Sequence, residues 1–236
     1  MGKDLQEGTM INLQSLPNII MAVGGLGTAA FGLVDSTKVF WGGVNRIGFK
    51  RISGSVKNLT THLSAGLNQD RILGTLRANW YNGTALSDQK SIAKSLIKQG
   101  LNPGNALDLA AQTGVDKDLL NSVAAKIQTG TALLQPESDV YSRFDFVLTA
   151  LLDEVYQHAD QAYTNWTRVW ASGFALVLGF VGGWTVNGSS IGQYWWTHDM
   201  WIAVVSGLLA TPLAPVAKDL SSALATAVNT MQIIKK

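Results

Sequence analysis

The sequence predicts an all-α integral membrane protein with about three transmembrane helices and a small cytoplasmic helical bundle. Three observations carry this reading. The 236-residue chain is only 14% charged, against about 25% in soluble globular domains. Its charges are missing altogether from three apolar stretches of about 16 to 19 residues, close to the length that crosses a hydrocarbon core as a helix. Tryptophans and basic residues gather at the ends of those stretches, where the headgroups would lie. An apolar content of 47% excludes disorder, and the absence of Cys excludes a disulfide scaffold, a thiolate metal site and a cysteine nucleophile.

Residues 1–15 are polar and expected outside. Residues 16–34 (LPNIIMAVGGLGTAAFGLV) form the first expected crossing. A cleaved signal peptide is the rival, but the leading MGKDLQEG is not basic, which favours an uncleaved anchor. Gly25-Leu26-Gly27-Thr28-Ala29-Ala30 fits the dinucleotide pattern G-x-G-x-x-A. The acid that such a site needs about 20 residues on is replaced by Val44, Asn45 and Arg46. Residues 36–57 read as a basic amphipathic segment lying in the interface, with Phe40, Val44, Ile47 and the stem of Arg51 on its apolar side.

Residues 58–168 are expected to form the cytoplasmic bundle. Ser87 is a plausible N-cap for a helix that Gly100 stops, Asn102-Pro103 opens another, and Asp116 caps a third that Gly130 ends. A weak 14-residue repeat aligns Leu109-Ala110 with Val123-Ala124. From about 137 an uninterrupted stalk helix carries an apolar stripe through Tyr141, Phe144, Leu148, Leu151, Val155, Ala159, Ala162 and Trp166. It runs into the second crossing, 169–186. An outer loop, 187–199, leads to the third crossing, 200–217, which Pro212 and Pro215 should bend. Residues 218–236 form an amphipathic tail with a stripe through Leu220, Leu224, Ala227, Met231 and Ile234.

The flanks set an orientation. Lys38, Trp41, Arg46, Lys50 and Arg51 follow the first stretch; Trp166, Arg168 and Trp170 open the second and Trp184 closes it; Tyr194, Trp195, Trp196 and Trp201 crowd the start of the third. Lys and Arg are absent from the segment between the second and third stretches. Positive-inside bias therefore puts 36–168 and the C-terminus in the cytoplasm and the N-terminus outside. These tryptophans and basic residues are the expected lipid-interface set, and membrane lipid is the first expected partner.

Small residues recur at four-residue spacing in each stretch: Gly24, Thr28 and Gly32; Ala171, Ala175, Gly179 and Gly183; Ser206, Ala210 and Ala214. A face without side chains lets a second backbone approach closely. These are the expected helix-packing residues, used on one another or on other membrane subunits or copies of the chain. No ionisable group lies inside a stretch, and His62, His158 and His198 are all elsewhere, so no haem, metal or other cofactor is expected. No catalytic constellation occurs, so no enzyme and no small-molecule substrate is expected. Nucleic acid is not expected either, because 100–130 holds only Lys117 and Lys126 against three Asp.

Phe144-Asp145 entering a long helix, Trp166 and Trp170, Val186-Asn187 and the phrase Gly207-Leu208-Leu209-Ala210-Thr211 resemble a group of uncharacterised bacterial inner-membrane proteins. Those have an N-terminal anchor, a helical insert and two C-terminal crossings. The resemblance implies location in a bacterial inner membrane and no particular activity. Two function classes remain: a non-catalytic membrane scaffold or accessory subunit, and a pore-forming, channel or membrane-remodelling protein.

Overall fold

The structure is a computed structural model that describes residues 16–60 and 68–234, with side chains at all of these except 16, 17, 221 and 224–234. Every regular element among them is helical: α1 (Leu16–Trp41), α2 (Asn45–Leu59), α3 (Gln69–Tyr81), α4 (Leu86–Gln99), α5 (Ala106–Thr113), α6 (Lys117–Thr129), α7 (Gln135–Asn187), α8 (Ile191–Tyr194) and α9 (His198–Ile234). Three of them, α1, α7 and α9, are long and apolar enough to cross a membrane. The chain divides into two compact units, a bundle unit of residues 42–165 and an apolar unit built from α1 and residues 166 onward. The expected polar segment 1–15 lies outside the described residues.

The bundle unit starts where α1 stops. Gly42 and Gly43 take φ of +78° and +43°, a backbone that other residues rarely adopt, and they turn the chain into α2. The expected interfacial segment 36–57 is therefore corrected: 36–41 belong to α1, and 45–59 make a separate helix. Its apolar side, Gly48, Ile52, Val56 and Leu59, is buried in the bundle core and not free for lipid. Trp80 explains why. Its ring lies over Gly48, where a Cβ would overlap it, and its Nε1 donates to the Asn45 carbonyl at 3.0 Å. Tyr163 closes the arrangement edge-on, with centroids 6.0 Å apart.

Two caps differ from expectation. Helix α4 begins one residue ahead of Ser87, because the Thr84 and Ala85 carbonyls accept from the Gln89 side chain (2.6 Å) and from the Asp88 and Gln89 N–H groups. Helix α5 begins after Asn105, not at Pro103. Asn102 and Asn105 are buried and hold the loop by donating to the Gly100 carbonyl at 3.0 and 2.9 Å. Asp116 does cap α6, accepting from the Leu119 N–H at 2.9 Å, and Gly130 ends it at φ +69°. Both repeated pairs, Leu109-Ala110 and Val123-Ala124, are buried in the one core.

The bundle part of α7 lies along that core through Phe144, Leu148, Leu152, Tyr156 and Ala159. The expected stripe drifts by one position: Leu151 and Val155 are only half-buried, and Trp166 is exposed. The buried positions themselves step by four from Phe144 through Leu148 and Leu152 to Tyr156 and then by three to Ala159, a line beside the expected one on the same side of the helix. The Tyr156 hydroxyl has no protein partner among the described residues, and burial holds it protonated well above the usual phenol range.

The apolar unit inverts the burial pattern of a water-soluble domain. In the most apolar part of α7 only 11% of residues are buried, and in α1 only 22%. Val177, Val181, Ile202, Val205, Leu208 and Leu209 are exposed, while alanines and glycines occupy the interior. Large apolar groups outside and small ones inside suit an apolar solvent. In α9, Pro212 and Pro215 are accommodated within a continuous helix, and of the tail stripe only Leu220 falls among the described side chains, half-buried.

Candidate functional site

The helix-packing residues meet in a seam of closely approached backbones. On α9 the seam is Ala203, Gly207, Ala210, Ala214 and Ala217, all buried, at alternating spacings of four and three. The α7 face proposed from sequence lies against its first half. Ala171 and Ala175 are buried, a Cβ on Gly179 would stand 2.9 Å from the Ala203 carbonyl, and one on Gly207 would stand 2.9 Å from Leu176 Cα. Ser172 donates to the Thr211 hydroxyl at 3.2 Å. Helices α7 and α9 thus form an antiparallel hairpin. Ala210 and Ala214 are in the seam, whereas Ser206 is half-buried beside it.

On α1 the buried ridge is Gly24, Gly27, Ala30 and Val34. A Cβ on Gly24 would overlap Ala217, and one on Gly27 would overlap the Ala210 carbonyl. Thr28 and Gly32, expected to continue from Gly24, are exposed; Gly32 faces open space and Thr28 returns its hydroxyl to the Gly24 carbonyl at 3.0 Å. Gly25 to Ala30 are helical, which removes the strand and turn that a dinucleotide fingerprint needs. Along the seam Gly24 meets Ala217, while Gly27 meets Ala210 and Ala214.

The end of the hairpin is aromatic. Trp195, Trp196 and Trp201 are exposed, and with Met200 and Gly192 they line a cavity of about 480 Å³. Trp184 is half-buried and donates to the Ser189 carbonyl at 2.9 Å; Trp166 and Trp170 are exposed at the other end of this part of α7. Tyr194, grouped with them by sequence, is fully buried. Its ring meets Phe180 at 5.2 Å and fills the space that Gly183 leaves. A shallow groove of about 400 Å³ follows Gly179, Gly182, Gly183, Ile202 and Ser206, with Asn187 donating to Asp199 (2.7 Å) at its mouth. Of the expected interface cations, Lys38 pairs with Asp35 at 2.6 Å, while Arg46, Lys50 and Arg51 are exposed on α2.

In the bundle unit the polar chemistry is committed to structure. Lys90, Lys94 and Lys98 on α4 face Asp153, Thr149 and Asp145 on α7, with Lys90–Asp153 at 2.5 Å and Lys98–Asp145 at 2.7 Å. The hydrogen bond from Lys98, with a second from Lys94, holds the Asp145 carboxyl below its usual range against the opposing effect of burial. Burial alone would lower Lys98, but Asp145 and Tyr141 leave it raised. In the sequence the ladder is Lys90, Lys94 and Lys98 at four-residue spacing and, on another helix, Asp145 and Asp153 eight apart with Thr149 between them; the two sets stay unpaired there because nothing in one sequence says which helices touch.

Glu137, at the start of α7, is buried and accepts from Lys126 (2.7 Å), Ser122 (2.6 Å) and the Leu134 N–H (2.7 Å). In that order of strength these bonds hold its pKa down to about 2 from an ordinary 4.5. A carboxyl lowered in the folded state stabilises above its unfolded pKa and loses that contribution as pH falls through the folded one. The bundle unit should therefore weaken on acidification from about 4.5 toward 2. Circular-dichroism melts across that window should show it, and Glu137→Gln should be less stable at neutral pH with a flatter acid limb. An unchanged limb in the variant would assign the acid sensitivity elsewhere.

No three His, Cys, Asp or Glu side chains among the described residues are grouped to hold a metal ion. His158 lies 3.9 Å from Glu154 on an exposed face, His198 is exposed, and His62 lies outside the described residues. Comparison with protein-family models, curated proteins and solved structures finds no match.

Proposed function

We propose that this chain is a non-catalytic scaffold or accessory subunit of a larger membrane assembly, with α7 and α9 as a two-pass anchor and the bundle unit as its docking module. The observation that carries the docking half is the presence of large apolar side chains left outside a filled core: Phe146 is 75% exposed, Leu134 65% and Leu107 51%. Phe146 stands among Ser142, Arg143 and Asp139 on the polar side of α7, and an exposed aromatic on a rigid helix is the usual anchor of a protein interface. The anchor half is supported by the lipid-compatible surface of the apolar unit. Absence of Lys and Arg from 187–199 favours that loop outside, with 58–168 and the tail in the cytoplasm of a bacterial inner membrane.

The experiment is in-cell photo-cross-linking from position 146, followed by purification in mild detergent. We expect discrete cross-linked species that Leu134→Ser weakens and Phe146→Ala abolishes in a matching co-purification. A bundle that cross-links only to lipid or to nothing would overturn the docking reading. Five hydroxyls of the spans lend the pore reading no support: Ser172 and Thr211 bond to each other, and Thr28, Thr37 and Thr185 bond to their own helices.

A further inference from the structure

The bundle unit is electrically lopsided. Between 42 and 81 the chain carries Arg46, Lys50, Arg51, Lys57, Arg71 and Arg77 against the one acid Asp70; between 82 and 165 the acids outnumber Lys and Arg by ten to six. The structure sharpens the contrast. In the acidic part Lys90, Lys94, Lys98 and Lys126 each meet a carboxylate of α7. On α2, Arg46, Lys50 and Arg51 are exposed, and no carboxylate among the described residues pairs with them. Arg77 extends the same seam: its guanidinium lies 5.6 Å over the Tyr81 ring, which meets Phe49 of α2 edge-on. Residues 46 and 50 share one side of the helix, with 51 next to it, opposite the buried Ile52 and Val56.

We infer that this outward face of α2 binds the anionic headgroups of membrane lipids. Three things select lipid over other polyanions. Helix α2 follows the apolar helix α1 after only Gly42, Gly43 and Val44, a link that reaches about 13 to 14 Å from Trp41 to Asn45 even when extended. The last residues of α1, Val39, Phe40 and Trp41, are 83%, 77% and 73% exposed, as suits side chains entering a headgroup layer. The apolar side of α2 is consumed by the bundle core, so attachment here is by charge alone, without insertion, and must respond to salt. The inference rests on the membrane reading above only for the presence of a bilayer beside α1.

The test uses the full chain reconstituted into phosphatidylcholine vesicles with a minority of phosphatidylglycerol. Flotation reports whether the chain enters the bilayer at all. Spin-labelled phosphatidylglycerol and phosphatidylcholine then report which lipid is immobilised at the protein. We expect about fivefold preference for phosphatidylglycerol, the worth of one favourable charge contact. It should vanish in Arg46→Gln/Lys50→Gln/Arg51→Gln and at about 1 M salt, where the screening length shrinks to ~3 Å. Lys117→Gln, on an exposed part of α6, should leave the preference intact. Near-ultraviolet dichroism checks that the triple variant keeps its fold, and Lys50→Gln alone should give an intermediate preference. A protein that floats but shows no preference, or keeps it in the triple variant, overturns the inference while sparing the membrane reading. Tighter binding to a short RNA or DNA duplex than to these vesicles would also overturn it.

Discussion

Gly27→Leu should detach α1 from α9 and lower the stability of the apolar unit by about 3 kcal/mol or more, the upper range for overfilling a packed interior. The reason is what a Cβ would strike. At Gly27 it is the carbonyl carbon and oxygen of Ala210, with Ala214 Cβ 3.0 Å away. A side chain can change rotamer to make room; a backbone carbonyl inside a helix cannot, so the helices must separate. Separation then forfeits the contacts of Ala30 with its neighbours, and small-residue contact is most of what holds helices together where the surroundings are themselves apolar. Reversible unfolding in mixed micelles would measure the loss, and a disulfide engineered between α1 and α9 should form poorly in the variant. Gly25→Leu and Gly32→Leu are the matched controls, since both positions open onto empty space. These should be neutral or slightly stabilising, because a helix interior prefers almost any residue to glycine by roughly 0.5–1 kcal/mol. If all three substitutions behave alike, the seam is misassigned.

Phe144→Ala should unfold the bundle unit under conditions where the parent is folded. Phe144 is fully buried, stacked on Tyr141 at 6.3 Å, in a core that also holds Leu148 and Leu152. Truncating a buried phenylalanine costs about 3–5 kcal/mol through lost transfer free energy and the cavity left behind. A domain of this size has only about 5–15 kcal/mol in total. Phe146, two residues on, is 75% exposed, and Phe146→Ala should leave the melting transition where it was. Chemical denaturation followed by tryptophan fluorescence distinguishes the pair. The contrast also protects the docking test: a variant that loses partners while keeping its transition has lost a surface, not a fold.

Much of this architecture was legible before any coordinates, and the failures share a cause. Charge-free stretches marked the three long apolar helices, because an uncompensated charge inside such a helix is costly enough to be avoided. Asp116 and Gly130 were legible because a cap acts over four residues of one chain. The α7 face through Ala171, Ala175, Gly179 and Gly183 was also found. Its counterpart on α1 was not, since a strict four-residue count runs from Gly24 to Thr28 and Gly32, whereas the buried ridge turns through Gly27 and Ala30. The interfacial reading of 36–57 failed for another reason. Amphipathicity tells which side of α2 seeks burial but not what buries it, and Trp80, about 30 residues away, supplies the cover. Tyr194 was grouped with its exposed neighbours because composition cannot see the vacancy at Gly183 that admits it.

The seam between α1 and α9 joins Gly24 to Ala217, positions 193 residues apart. A ribosome adding about 5–20 residues per second leaves the first helix waiting some ten seconds or longer for its mate. The intervening domain can mature meanwhile, since its core draws only on residues 42–165. Nascent α1 therefore waits with its glycine track uncovered until α9 has been made.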